Sequence, residues 1–175
     1  MVTVVFPGAE NKACAKAVCA ALERFGGAIF ADGTEISDFA PVASVFFVYN
    51  GESIKSVPKR ESVLLLTEDA PKTSSAVQNE FAYVLTSAPS ADIAKKSCLS
   101  VGMGKDCDIS VSSIEGMHLQ ICLQRTLKTF SGKEILPCEF SVQCKEKIDL
   151  KPALFAFSVL LLCDKADTKE LKIQL

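Results

Sequence analysis

Short apolar runs separated by turn residues dominate the first hundred residues of the chain. Residues 2–6 are mostly β-branched and end at Pro7-Gly8, and residues 11–25 then carry apolar side chains at helical spacing. Further apolar runs predict buried strands at 28–31, 42–49, 63–67, 81–86 and 98–101, with helical segments at 74–80 and 91–96. Strands that alternate with helices predict an α/β fold of three layers, in which a mostly parallel sheet carries helices on both faces.

The pattern changes after Gly104, where apolar and polar residues begin to alternate. Every second side chain of residues 117–124 is apolar, and residues 138–144 alternate in the same way. Glycine-containing pairs stand where hairpin turns are expected. We therefore predict a small antiparallel β-sheet over about residues 105–147, following a parallel part of about residues 1–104.

A closing helix is predicted over residues 149–163. Asp149 is a candidate N-cap, Pro152 is tolerated in the first turn, and the run from Ala153 to Cys163 is apolar on every side. This run falls well short of the roughly 20 residues that a membrane-spanning helix needs. It is therefore interpreted as a buried helix that completes a single domain over residues 1–175.

The distribution of charged residues along the chain limits the classes of partner that the protein is expected to bind. The 175 residues include 19 basic and 21 acidic side chains, spread along the chain, for a formal net charge of −2. No basic block suggests an electrostatic contact with nucleic acid, so no nucleic-acid partner is expected. The N-terminus lacks a basic segment that leads into an apolar one, so we expect no secretory signal, no membrane partner and a cytoplasmic location.

The eight cysteines are expected to be reduced thiols that act as small apolar side chains. No two of them have the C-x-x-C spacing, and His118 is the only histidine, so zinc and dithiol redox sites have no support in the sequence. A Cys/His catalytic pair has no support in the local sequence around His118.

Residues 6–15 read FPGAENKACA and place a glycine and a lysine between a strand and a helix. In a phosphate-binding loop, backbone N–H groups surround the phosphates, a lysine reaches them, and the next Ser or Thr hydroxyl binds Mg²⁺. Here Gly8 and Lys12 are present, but Asn11 stands where Gly is expected and Ala13 where a hydroxyl is expected. Taken alone, these residues favour an ordinary strand-turn-helix connection with a solvated lysine over a phosphate site.

The order of motifs adds a resemblance to a known family. Residues 7–13 (PGAENKA) resemble a degenerate form of the Thr-Gly-Thr-x-Gly-Lys-Thr/Ser loop that opens the central ATP-binding domain of the Mur ligase family, which makes bacterial peptidoglycan precursors. Residues 83–87 (YVLTS) resemble that family's strand ending in Leu-Thr-Asn. Residues 99–102 (LSVG), followed by residues 106–109 (DCDI), resemble its strand that ends in a Gly and leads to Ala-Asp-Val. Residues 153–159 (ALFAFSV) resemble its Asn-Ala-Leu-Ala-Ala-Ile-Ala helix. The resemblance covers most of residues 2–163.

The chain differs from this family pattern at two of the family's motifs. Residues 88–92 read APSAD in place of the Asp-His motif, and residues 148–153 read IDLKPA in place of His-Asn-x-x-Asn-Ala. Glu68 is placed somewhat like the family's metal-binding Glu, although a solvated residue at a strand end is the favoured interpretation. We find no counterpart of the family's flanking domains, which supply its substrate-binding surfaces.

These observations predict a degenerate, stand-alone Mur ligase-like domain that is not a ligase and acts as a binding or regulatory module. Phosphoryl transfer depends on holding Mg²⁺ and phosphates in place, and the loop hydroxyl and the Asp-His motif are missing. Residual nucleotide binding would use Gly8, Asn11 and Lys12 together with N–H groups of the following helix. We assign no catalytic and no metal-binding residue; ATP with Mg²⁺ is implied by the resemblance alone.

Two alternatives stay open. One is an active ATP-dependent ligase or kinase that takes metal ligands from Glu68, Asp69 or Asp92. The other is a scaffold or assembly protein that binds no nucleotide and docks a protein partner on the antiparallel sheet or on the closing helix.

Overall fold

The computed structural model describes residues 1–33, 36–38, 45–51, 61–69, 81–87, 97–144 and 149–166, with the backbone alone for residues 36–38. The strands are β1 (Val2–Pro7), β2 (Ala28–Ala31), β3 (Ile36–Asp38), β4 (Phe46–Gly51), β5 (Ser62–Leu66), β6 (Tyr83–Thr86), β7 (Cys98–Gly102), β8 (Ile109–Glu115), β9 (His118–Leu123), β10 (Leu127–Lys128), β11 (Glu134–Ile135) and β12 (Cys138–Gln143). The helices are α1 (Lys12–Glu23), which follows a 3-10 turn at Ala9–Asn11, and α2 (Leu150–Leu162).

In the described part of the chain, ten strands form one sheet in the order β12-β9-β8-β7-β6-β5-β1-β4-β2-β3. Every neighbouring pair from β2 through β4, β1, β5, β6 and β7 to β8 is parallel. Antiparallel pairs occur only at the two ends, where β3 joins β2 and where β8, β9 and β12 follow one another. The predicted α/β class with a mostly parallel sheet is therefore confirmed.

The antiparallel strands continue the parallel sheet. Strand β8 pairs in parallel with β7, so that Val101 lies opposite Ile109 and Gly102 opposite Ser110. Beyond β8 the direction of the strands alternates, with a register shift between Val111 and Ser113. The main strands after Gly104 thus belong to the same sheet as the parallel part, with the change of direction after β8. A separate two-stranded sheet is formed by β10 and β11.

The central strands are buried on both faces. Val4 and Phe6 of β1 belong to the large core cluster, whereas Val5 of the same strand packs in a second cluster with Leu64 of β5. Burial on both faces explains the continuous apolar runs in these strands. Helices α1 and α2 pack against each other on the face of the large cluster. The helical segments predicted at 74–80 and 91–96 lie outside the described residues.

Helix α2 is buried along nearly its whole length, from Pro152 to Leu162. Its N-cap is Asp149, as predicted, whose Oδ1 accepts a hydrogen bond of 3.4 Å from the Lys151 N–H. Phe155 packs edge to face on Phe6 of β1, with ring centroids 6.3 Å apart. Phe157 packs on Phe140 of β12, with ring centroids 5.1 Å apart. One helix therefore covers both the parallel and the antiparallel strands.

No helix in the described part of the chain is long and apolar enough to cross a membrane.

Asp108 connects β7 to the antiparallel strands. Its Oδ2 accepts hydrogen bonds from the N–H and the hydroxyl of Ser100, at 2.8 and 3.0 Å. Its Oδ1 lies 2.9 Å from Nε of Arg125, which follows β9 and also donates to the Cys98 carbonyl. Asp108 belongs to the DCDI segment of the sequence, so this motif has a structural role that the described contacts account for.

All eight cysteines are free thiols. Burial raises the pKa of Cys14 and of Cys98 to about 11. Burial likewise raises the pKa of Cys19 and of Cys163 to about 12. These four thiols are therefore protonated at neutral pH and poor nucleophiles, as expected of cysteines that fill an apolar core.

The raised thiol pKa values predict a loss of stability at alkaline pH. An unfolded cysteine loses its proton near pH 9 while the folded thiol keeps it, so the stabilising contribution is full below about pH 9 and is lost as pH rises toward about 12. We expect the free energy of unfolding in urea, measured under reducing conditions, to fall as the pH rises from about 9 toward about 12. Cys163→Ala should show a smaller fall than the unsubstituted chain. Equal slopes in the two proteins would contradict this interpretation.

Candidate functional site: a loop at the switch point and a neighbouring cleft

The candidate phosphate loop lies at the carboxyl end of β1, between β4 and β5. After β1 the chain runs to β2 on one side of the sheet, and after β5 it runs to β6 on the other side. Open α/β sheets bind their ligands at such a switch point, outside the carboxyl ends of the strands. The fold therefore places Gly8, Asn11 and Lys12 together at the edge where a ligand is expected.

Gly8 has a backbone conformation that favours glycine, with φ at +91°. A Cβ atom at this position would lie only 2.0 Å from Oε1 of Glu10. The carboxylate of Glu10 therefore rests directly against the Cα of Gly8, although the residue as a whole is exposed. An acidic side chain thus occupies the space beside the glycine of the loop.

Two buried asparagines hold the loop in shape. Asn11, which is 4% exposed, donates from Nδ2 to the Pro7 carbonyl at 2.7 Å and accepts at Oδ1 from the Thr67 hydroxyl at 2.6 Å. Asn50, at the end of β4, donates from Nδ2 to the carbonyls of Gly8 at 2.7 Å and Phe6 at 3.2 Å. The loop is therefore tied to both neighbouring strands by buried hydrogen bonds.

Lys12 is the first residue of α1 and forms an ion pair with Asp32, which follows β2. The Lys12 side chain is 40% exposed, whereas the Asp32 side chain is only 6% exposed. Lys12 is therefore half-exposed to solvent and ion-paired at the same time. Its charge is already balanced by a carboxylate of the chain itself.

Sequence reasoning missed Asn50, Thr67 and Asp32 as loop residues. Each is a polar or acidic residue at or directly after the carboxyl end of a predicted strand, a position that does carry a signal. Their contacts with the loop could not be foreseen, because they depend on which strands are neighbours of β1.

The residues of the loop do not fit ATP with Mg²⁺. Ala13 offers no oxygen to a metal ion, and the carboxylates of Glu10 and Asp32 lie against the glycine and the lysine that phosphates would contact. Among the residues that the structure describes, no three His, Cys, Asp or Glu side chains are placed to share a metal ion. Asp92 lies outside the described residues, and Asp69 is exposed.

A cleft of about 640 Å³ lies next to the loop along the same edge of the sheet. Glu68 after β5, Ser87 after β6 and the β7–β8 connection line one side of it, and the first turns of α2 line the other. Glu68 forms an ion pair across the cleft with Lys151, with Oε2 and Nζ 3.9 Å apart. Gly8, Asn11 and Lys12 are not among its lining residues, so the loop and the cleft are distinct features.

Comparison with known proteins adds a distant structural likeness. No family model and no curated protein matches this chain. A solved structure of UDP-N-acetylmuramoyl-L-alanyl-D-glutamate–2,6-diaminopimelate ligase is similar to it, with 9% sequence identity and a TM-score of 0.48. The match covers 96% of this chain and 44% of that chain, so this chain spans less than half the length of that structure. At this identity and TM-score the likeness assigns neither a family nor an activity.

The buried hydrogen bond between Asn11 and Thr67 should contribute measurably to stability. Asn11→Ala leaves the Thr67 hydroxyl and the Pro7 carbonyl without this partner, which we expect to lower the free energy of unfolding by about 1–3 kcal/mol. A double-mutant cycle of Asn11→Ala with Thr67→Val should give a coupling energy of about 1 kcal/mol in urea unfolding.

Glu139→Ala supplies the matched control for this cycle, because Glu139 is exposed on β12 at the far edge of the sheet. Its effect should add to that of Asn11→Ala within about 0.5 kcal/mol. Full additivity of Asn11→Ala and Thr67→Val would show that the two side chains do not interact in solution.

Proposed function

We propose that this chain is a non-catalytic binding module in which a degenerate phosphate loop has been closed by the chain's own side chains. The observation that carries the proposal is the pair of carboxylates at the loop: Asp32 pairs with Lys12, and Glu10 rests on Gly8. The Mur ligase-like arrangement of motifs in the sequence supplies the context, in which such a loop would otherwise hold ATP.

Phosphoryl transfer needs positive charge and metal ligands aimed at the phosphates. Here the only lysine of the loop already has a carboxylate partner, and the residue after it is Ala13. A phosphate entering the loop would have to displace the Glu10 carboxylate from Gly8 and compete with Asp32 for Lys12. Like charges in this position disfavour phosphate binding, which argues against catalysis.

Residual nucleotide binding at Gly8, Asn11 and Lys12 is part of the proposal, as a weak contact. The N–H groups at the start of α1 favour an anion, and Lys12 is 40% exposed and accessible from solvent. The nearby acidic side chains oppose this attraction. The binding role therefore depends on another ligand or on a protein partner.

Calorimetric titration with ATP, with and without Mg²⁺, tests this proposal. We expect a Kd of about 1 mM or weaker for the unsubstituted chain. Mg²⁺ should affect the Kd only by lowering the negative charge of ATP, because Ala13 supplies no ligand for the metal ion. Glu10→Gln removes the carboxylate beside Gly8 and should strengthen ATP binding about 3- to 10-fold, which corresponds to about 1 kcal/mol.

The control compares two lysines. Lys12→Ala should abolish ATP binding, whereas Lys105→Ala, at an exposed position of the β7–β8 connection, should leave it unchanged. Circular dichroism of each variant verifies the fold. Micromolar, Mg²⁺-dependent binding by the unsubstituted chain would overturn the proposal, and equal ATP affinity in Lys12→Ala would remove the loop as the nucleotide site.

A further inference from the structure

The cleft between β7 and the start of α2 has the size and the lining of a small-molecule site. Its volume of about 640 Å³ lies within the range of roughly 300–1,000 Å³ that ligand pockets occupy. Met103, which is 67% exposed, and Leu150, which is half-buried, offer apolar surface to a ligand, whereas the lining residues Val101, Leu154 and Phe155 are buried. A large exposed apolar side chain beside an apolar cleft favours a ligand with an apolar body.

The charged groups of the cleft have one dominant sign. Among the described lining residues the carboxylates are Glu68, Asp106 and Asp149, and the only cation is Lys151. Three negative charges against one positive charge leave a formal charge of −2, which attracts a cation and repels an anion. The start of α2 would favour an anion, but Asp149 already accepts a hydrogen bond from its Lys151 N–H.

Ser87 adds an unsatisfied polar atom to the wall of the cleft. Its Oγ is the one buried side-chain oxygen or nitrogen in the described part of the chain that has no hydrogen-bond partner. A buried hydroxyl without a partner is costly, and Ser87 as a whole is only half-buried. An N–H donor of a ligand in the cleft would supply this missing partner.

We propose that this cleft binds a small molecule with an apolar body and a protonated amino group, and without a carboxylate. The apolar body lies on Met103 and Leu150, and the ammonium group is held by Glu68 and Asp106. This inference rests on the proposed function as a binding module, and it names the class of ligand.

Phenethylammonium chloride and 3-phenylpropionate are matched probes, because both join a phenyl ring to a short chain and differ in the sign of the charge. Titration of the full chain, followed by calorimetry or by saturation-transfer NMR, should detect the ammonium compound and not the carboxylate. The double variant Glu68→Gln with Asp106→Asn should weaken ammonium binding by about 10-fold or more. Both residues are exposed, so the fold should be retained.

Three further variants fix the location of the site. Ser87→Ala should weaken ammonium binding by about 3-fold, and Lys151→Gln should strengthen it, because the competing cation is removed. Glu139→Gln removes an exposed carboxylate on β12, outside the cleft, and should change nothing. Opposite effects at Lys151 and Glu68 would not arise from a general loss of structure.

Preference for the carboxylate probe, or ammonium binding that is unchanged in the Glu68 and Asp106 variant, would overturn the inference. Absence of binding by either probe would overturn it as well. None of these results bears on whether the chain is catalytic, because catalysis is tested by turnover of ATP and not by binding in the cleft. Failure of the inference and failure of the proposed function are therefore separate results.

Discussion

Burial of a helix that has almost no polar face is the constraint on which the rest of this structure depends. Residues Pro152 to Leu162 of α2 are all buried, so the sheet and the rest of the protein have to cover this helix with apolar surface on every side. The rings of Phe155 and Phe157 contact two strands that lie far apart in the sheet order, β1 in its parallel interior and β12 at its antiparallel edge. Truncation of a buried phenylalanine to alanine typically lowers the free energy of unfolding by about 3–5 kcal/mol. The helix therefore joins the parallel and antiparallel strands into one core.

The position of α2 also creates the cleft. Its capped start, at Asp149, lies beside the carboxyl ends of β5, β6 and β7, where the strands leave open space. The loop after β1 opens on the same edge, but it is filled by its own hydrogen bonds and carboxylates. A ligand that approaches this edge therefore meets a closed loop and an open cleft. This contrast is the reason why we propose the cleft, and not the loop, as the binding site.

Those parts of the fold that depend on the local pattern of apolar and polar residues could be predicted from the sequence. Strands β1, β5 and β7 follow from short apolar runs, and α2 follows from an apolar run with an acidic N-cap. The joining of β7 and β8 could not be predicted, because strand pairing between segments of different pattern depends on tertiary packing.

The candidate site was predicted only in part for a similar reason. Gly8, Asn11 and Lys12 were singled out through the resemblance of residues 7–13 to a phosphate-binding loop, and the structure places them together at the end of β1. Asp32 and Thr67 are distant in sequence from the loop, and their roles follow from strand order alone. The apolar cleft was missed entirely, since its lining comes from four separate segments of the chain.

The most direct test of this account is a measurement of inorganic phosphate released from Mg·ATP by the purified chain under single-turnover conditions. The closed loop predicts a rate equal to that of buffer, and the same rate for Lys12→Ala and Glu68→Gln. Phosphate release above the buffer rate that disappears in both variants would contradict the account, because it would show that the loop opens and that a carboxylate beyond it takes part in phosphoryl transfer.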